Sequence, residues 1–233
     1  MSTHWPLFEL RLRTPELELR VPTPEDLEAL ADLAAEGVHD PAVMPFIEPW
    51  TDAEPAARAR SVLQWHWRCW SEWSQRNWRL EFAVLADTDE GRRVVGSQAV
   101  CAKEFSVLRE VLTGSWLGRR FQGRGIGTEM RAAVLHLAFA ELGAEYAISD
   151  AFTDNAASFG VSRRLGYTPD GIARMVVRNR AVASRRLRLD RAGWQAHRTV
   201  DVTVEGLAAC RHMFALLRSG SAGAFDASSP GDR

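Results

Sequence analysis

The stretch Gln122-Gly123-Arg124-Gly125-Ile126-Gly127-Thr128 constrains this chain more than any other. It stands where an apolar run, Val111 to Leu117, gives way to a helical stripe of Ile126, Met130, Ala133, Val134 and Leu137. A strand must turn into a helix there, and glycine lets successive N–H groups point at one place without a Cβ in the way. Such donors, at the positive end of a helix dipole, make an anion site. Arg119, Arg120 and Arg124 flank it, so the expected anion is a phosphate or diphosphate.

Several unrelated binders use strand, glycine loop and helix. A Walker loop needs lysine and then Ser or Thr after its last glycine; Thr128 and Glu129 follow Gly127, so that reading fails. A dinucleotide fingerprint starting at Gly123 would need glycine at 128, where threonine stands. Asp150 is at a tolerable distance for a ribose contact, which keeps a nicotinamide enzyme as a weakened third reading.

The spacing Gln-x-x-Gly-x-Gly resembles the acyl-coenzyme A loop of the GNAT acetyltransferase superfamily. Asp154-Asn155-Ala156-Ala157-Ser158 with Arg163-Arg164-Leu165-Gly166-Tyr167 is similar to the family's second cofactor segment. Trp116-Leu117 resembles the end of its splayed fourth strand, and Arg188-Leu189 through Trp194 the closing strand of the RimJ/RimL branch. The likeness spans roughly residues 15 to 195. It implies an α/β (α+β) GNAT fold, with a mixed, mostly antiparallel sheet whose fourth and fifth strands splay apart.

By that resemblance the chain is an acyl-CoA-dependent N-acyltransferase acting on a primary amine, such as a protein N-terminus or a small-molecule amine. Trp116, Leu117, Gln122, Gly123, Arg124, Gly125, Ile126, Gly127, Thr128, Asn155, Ser158 and Arg164 would hold the donor. The N–H groups of 123 to 128 would take its diphosphate, and the Thr128 hydroxyl would add a contact. Asn155 and Ser158 would lie by the pantetheine arm, Ser158 protonating the departing thiolate; otherwise Asn155 only caps a helix and Ser158 stands by. The nearest tyrosine, Tyr167, reads as packing beside Gly166. The segments His4-Trp5-Pro6-Leu7-Phe8, Gly37-Val38-His39-Asp40-Pro41 and Gly114-Ser115-Trp116-Leu117-Gly118 resemble an actinobacterial subgroup with a succinyl-CoA-using member. Succinyl-CoA therefore stands beside acetyl-CoA as donor. A different class, a non-catalytic acyl-CoA sensor or scaffold, is the alternative.

The sequence departs from the family at the base. Relatives often carry glutamate four residues before the tryptophan of the Trp-Leu pair, and Leu112 stands there. Glu110, Glu81, Asp150 and His39 are the substitutes in view. An α-amine needs only about 1 kcal/mol to lose its proton at pH 7, whereas a lysine amine needs about 4.6 kcal/mol. The departure thus favours acceptors of low pKa.

The rest of the chain reads as one domain. Residues 1–16 form an N-terminal arm, 17–196 the acyltransferase domain, 197–218 a strand–helix extension packed on it, and 219–233 a disordered tail of Gly, Ser, Ala, Pro and Asp. Thr23 and Pro24 open a helix that Gly37 ends, and Thr51-x-x-Glu54 reads as a capping box for a helix running toward Ser74. In that second helix Leu63, Trp67 and Trp70 read as the core face. Trp65 and Trp73, with Cys69 between them, need another burial surface: a subunit contact, a neighbouring loop, or an acceptor pocket by Phe46 and Trp50. A homodimer or higher homo-oligomer is expected. A helix over 125–142, a hairpin of 172–177 with 184–190, a strand over 199–204 and a helix through Leu207, Cys210, Phe214 and Leu217 complete the reading.

A net charge of −1 argues against nucleic acid or an anionic membrane as partner. Cys69, Cys101 and Cys210 are too few and too scattered for a disulfide framework or a metal site, so no metal is expected. The missing signal core and the lack of a long apolar run make the cytoplasm the expected compartment.

Overall fold

The computed structural model describes residues 2–214. Along the chain run β1 (Arg11–Arg13), β2 (Leu17–Arg20), α1 (Pro24–Glu36), α2 (Pro55–Ser71), β3 (Asn77–Thr88), β4 (Gly91–Lys103), α3 (Phe105–Leu108) and β5 (Glu110–Leu117). There follow α4 (Ile126–His136), β6 (Tyr146–Phe152), α5 (Ala156–Arg164), β7 (Thr168–Val177), β8 (Arg180–Asp190), α6 (Arg191–Ala196), β9 (Thr203–Glu205) and α7 (Leu207–Cys210). The strands form one nine-stranded sheet in the order β7-β8-β6-β5-β4-β3-β2-β1-β9. Its pairs are antiparallel except β5 with β6.

That parallel pair is short. Glu110–Leu112 align with Tyr146–Ile148, and then the two strands part. β5 stays zipped to β4 on its other side as far as Leu117 opposite Gly96. The expected splay is therefore present between the strands numbered five and six here, because β1 precedes the family-like set. The opening exposes one backbone edge of residues 113–117.

Side-chain alternation gives the sheet two covered faces. Trp78, Leu80, Phe82 and Val84 of β3 join Met130, Val134 and Phe139 of the long helix in one core. Ala83 and Leu85 face the other way, onto Leu30 and Ala34 of α1 and Val62 of α2. The first helix is well anchored. Thr23 Oγ1 accepts from the Asp26 N–H at 3.2 Å, while Asp26 accepts from the Thr23 N–H at 3.0 Å and from Arg20 at 2.8 Å. That reciprocal cap and the ion pair hold α1 at its first turn.

The second helix departs from the reading. Glu54 is itself the N-cap, without a side-chain cap bond, and Pro55 opens the helix. Thr51 is buried in a short turn over Trp50–Asp52, its hydroxyl bound to the His39 ring. The stripe turned inward is Val62, His66 and Cys69, and Trp67 is 52% exposed. The smaller side chains lie against the sheet, and the bulky Leu63, Trp67 and Trp70 line a cleft with Phe8, Val21 and Leu27. Periodicity identified a stripe but not the side the sheet would choose. Trp73 finds its burial within the chain, against Trp5, Trp78 and Phe214 at centroid distances of 6.3, 5.9 and 5.6 Å.

The long helix also differs from one regular run over 125–142. Past His136 it widens into a π turn, Leu137–Glu141, closed by Leu142 N–H to Leu137 O at 2.9 Å and followed by Gly143 at φ +78°. Residues near the chain start join the sheet: β1 lies between β2 and β9. Phe214, fully buried, pins the segment after α7. The expected helical position of Leu217 and the tail 219–233 lie outside the described residues.

Candidate functional site

Glycine shapes the loop between β5 and α4. Gly123 and Gly125 adopt φ of +75° and +88°, a backbone that side chains resist, and Gly125 is the cap residue of α4. Among the described residues, the N–H groups of Gly123, Arg124, Gly125, Ile126 and Gly127 have no backbone acceptor. Thr128 differs from the sequence reading, since its N–H turns back to the Gly125 carbonyl at 2.9 Å. Its hydroxyl makes no hydrogen bond among the described residues. Ile126 is buried and offers only its backbone.

The neighbours of this loop divide into scaffold and charge. Gln122 spends its amide on the carbonyls of Val38 at 2.7 Å and Leu117 at 3.0 Å, tying the loop to α1's end and to β5. Arg120 pairs with Glu36 at 3.5 Å, and both Arg120 and Arg124 lie over the Phe121 ring. Arg124 and Arg119 are exposed beside the open N–H groups, and Arg164 is exposed in the last turn of α5. A carbon placed on Gly127 would sit 3.7 Å from Val161 and 3.8 Å from Leu117. Loop, α5 and the end of β5 therefore converge.

Asn155 caps α5: its side chain accepts from the Ser158 N–H at 3.0 Å. That bond holds the backbone at the first turn of α5, and the Ser158 hydroxyl makes no hydrogen bond among the described residues. Four residues on, Ser162 shares the same side of the helix and is buried. It accepts from Arg131 of α4 at 3.0 Å, and the same guanidinium reaches Ser115 of β5 at 3.5 Å. Arg131 is 6% exposed, has no carboxylate partner, and its Nε is unpaired among the described residues. Burial pulls its pKa below the ordinary arginine value, with Tyr167 acting against that. Tyr167 is buried too, its hydroxyl 3.3 Å from Thr113, and burial pushes that phenol upward.

This polar row was not visible in the sequence reading. One signal could have found it: the residues one turn on from Arg131, Val134 and Leu135, are apolar, so its side of α4 faces the core.

The opposite face of β5 is lined differently. Register puts Ser97 opposite Trp116, Ala99 opposite Gly114, and Glu81 opposite Ala99, all toward α1 and α2. A carbon built on Gly114 meets nothing within 4 Å, so the floor there is open. Trp116 meets Trp50 at 5.8 Å, Trp50 meets Phe46 at 5.3 Å, and Phe46 meets His39 at 5.6 Å. These rings make an aromatic wall from the 39–50 loop down to the splay. The β7–β8 turn closes over it, Arg178 Nε donating to Asp52 at 2.8 Å.

Among the sequence-proposed carboxylates, the geometry separates one. Glu110 is held by Arg188 at 2.6 Å, and Asp150 lies exposed on β6 opposite Arg186. His39 has both ring nitrogens engaged, with the Asp40 carbonyl at 2.8 Å and the Thr51 hydroxyl at 2.7 Å. Leu112 is apolar. Glu81 is 7% exposed on the open-floored face, accepting from Trp65 Nε1 at 2.9 Å, Ser97 Oγ at 3.2 Å and Arg79 at 3.4 Å. Beside it, burial and then the Glu81 charge push the Cys69 thiol up to about 12, and burial raises Cys101 as well. Neither is a thiolate nucleophile at neutral pH. Burial lowers His66, which Glu81 partly offsets.

A family model of the acetyltransferase (GNAT) domain matches residues 16–168. The structure of Mycobacterium smegmatis RimJ in complex with CoA-disulfide superposes with a TM-score of 0.64 at 17% identity, covering 91% of this chain and 97% of that one. A GCN5-related N-acetyltransferase from Brucella melitensis gives 0.62 at 21% identity over 81% of each chain. A RimL described as a ribosomal L7/L12 α-N-protein acetyltransferase in complex with coenzyme A gives 0.59 at 18% identity, covering 76% of this chain and 94% of its own. At such identities the likeness speaks for the fold.

Proposed function

Since the chain belongs to the GNAT acetyltransferase family, we propose that it transfers an acetyl or succinyl group from its coenzyme A thioester directly to a primary amine. One observation carries this reading: the N–H groups of residues 123–127, unengaged among the described residues, follow the end of β5 that has parted from β6. They suit a diphosphate, with Arg119, Arg124 and Arg164 as candidate counter-charges and Thr128 as a further hydroxyl donor. The exposed edge of β5 near Trp116 and Leu117 offers backbone N–H groups to polarise a thioester carbonyl.

In this reading the amine comes from the aromatic side, over Gly114. Its nitrogen forms the new C–N bond as the C–S bond breaks. The amine proton passes to Glu81, directly or over one water and thence to solvent, and Ser158 passes a proton to the departing sulfur while regaining one from solvent. The raised pKa values of Cys69 and Cys101 support direct transfer over an acyl-cysteine intermediate. An α-amine fits this weakly basic setting better than lysine. The RimL likeness agrees with a protein N-terminus as acceptor.

A succinyl group would bring a carboxylate, and the arginines near the aromatic side are already engaged. Arg79 faces Glu81, Arg178 faces Asp52, and Arg58 donates to the carbonyls of Ala34 and Ala53. That favours acetyl. The test is thiol release, with product masses, from acetyl-CoA and succinyl-CoA over a panel of N-terminal peptides, lysine and polyamines. Acetylated α-amines are the expected product, and Ser158→Ala should slow their formation while leaving coenzyme A affinity intact. Binding without turnover of any amine would leave a sensor or scaffold instead.

A further inference from the structure

A guanidinium buried without a carboxylate is an unusual expense for a fold, since an ion removed from water needs a compensating charge or a full set of hydrogen bonds. Among the described residues, Arg131 has two serine hydroxyls and an unpaired Nε. Its location is specific. Ser115 lies on β5 beyond the last residue paired with β6, so it borders the splay. Ser162 lies on α5 directly behind Ser158, and Val161 next to it approaches the glycine loop at Gly127. The charge therefore stands behind β5 and α5, on the face of the sheet opposite the open floor at Gly114.

The reaction puts an anion in the splay for a limited time. While the thioester is intact the sulfur is neutral; when the C–S bond breaks, the electron pair stays on sulfur. We propose that Arg131 is a positioning residue that stabilises this coenzyme A thiolate electrostatically, its charge conveyed through Ser162 and Ser115 to the sulfur beside Ser158. The inference rests on the acyl-CoA reading above. A charge fixed in a low-dielectric interior needs no contact to act, and it costs no reorganisation when the sulfur becomes negative. Ser158 and Arg131 then divide the work: one supplies the proton, the other holds the charge until the proton arrives.

The experiment compares the affinities of coenzyme A and desulfo-coenzyme A by calorimetry between about pH 6 and 10, a range that brackets an ordinary thiol near ~8.5. A bound thiol whose anion is stabilised makes coenzyme A gain on desulfo-coenzyme A as pH rises, about ten-fold for each unit by which its pKa is depressed. In the wild-type protein that gain should start at least about one unit below the free thiol. Arg131→Gln should abolish it while desulfo-coenzyme A still binds as in wild type, and Arg131→Lys should keep it. A wild-type affinity ratio that stays flat up to the free thiol's pKa overturns the proposal without any variant. Persistence of the early gain in Arg131→Gln overturns it equally. If neither ligand binds the wild-type protein, the acyl-CoA reading itself has failed, a distinct outcome.

Discussion

The two faces of β5 are made of different materials. Toward α4 and α5 lie backbone N–H groups, a glycine-shaped turn and a short polar row. Toward α1 and α2 lie side chains that meet only in three dimensions: Trp50 and Phe46 from a loop, Trp116 and Ser97 from neighbouring strands, Glu81 one strand further, and Arg178 from a distant hairpin tip. A site built from backbone leaves a local imprint, because only certain residues permit the conformation. A site built from side chains leaves none. In the proposed reading, the first face can be shared by chains with different acceptors, and the second is where such chains are free to differ.

Three changes would break or sharpen that contrast. Gly125→Glu places a carboxylate in front of the unengaged N–H groups, at a position where a side chain meets nothing within 4 Å but the backbone is left-handed. Two lost charge-assisted bonds correspond to about a 10³-fold weaker affinity for coenzyme A. A thermal melt should still show a folded chain, with strain of about 1–3 kcal/mol. Retained affinity would mean that the diphosphate lies elsewhere. Glu81→Gln acts on the other face. It should lower turnover by about 10²-fold, more for lysine amines than for α-amines, while calorimetric coenzyme A affinity stays as it was. Equal losses in donor affinity and turnover would show the two faces are not separable.

The smallest effect concerns stability. Burial holds His66 below its ordinary pKa, so its neutral form belongs to the folded state. Its contribution is fully present above the unfolded value of about 6.5 and is lost as pH falls from there through the lower folded value. Unfolding free energies from denaturant titrations across that range should decline toward acid with a slope of up to about 1.4 kcal/mol per pH unit for this group, and His66→Phe should flatten the decline. His136, lowered by burial and then by Arg198, contributes in the same direction and stays in that variant. An unchanged slope in His66→Phe would remove His66 from the account.

Much of the fold was legible because its signals are local. Thr23 with Pro24, Gly37, the Val111–Leu117 run and the glycine loop each state a boundary within a few residues, and the structure has elements there. The Thr51 box failed because the same threonine serves the His39 ring in the folded chain, a partner no short pattern reveals. The α2 stripe was misassigned because two faces of that helix carry apolar residues, and the sheet accepted the less bulky one. Within the candidate site, Asn155 was legible as a cap, whereas the role given to Ser158 rests on family likeness alone and stays a proposal. Arg131, Ser162 and Ser115 come together only through the packing of α4, α5 and β5.

The edge where β1 meets β9 carries a consequence for synthesis. Arg13 and Glu205, 3.1 Å apart in the finished protein, are separated by 192 positions. At roughly 5–20 residues per second, a ribosome takes about 10–40 s to deliver the second after the first. Throughout that interval one rim of the growing sheet has unsatisfied amides, a natural landing place for a chaperone or for another nascent chain.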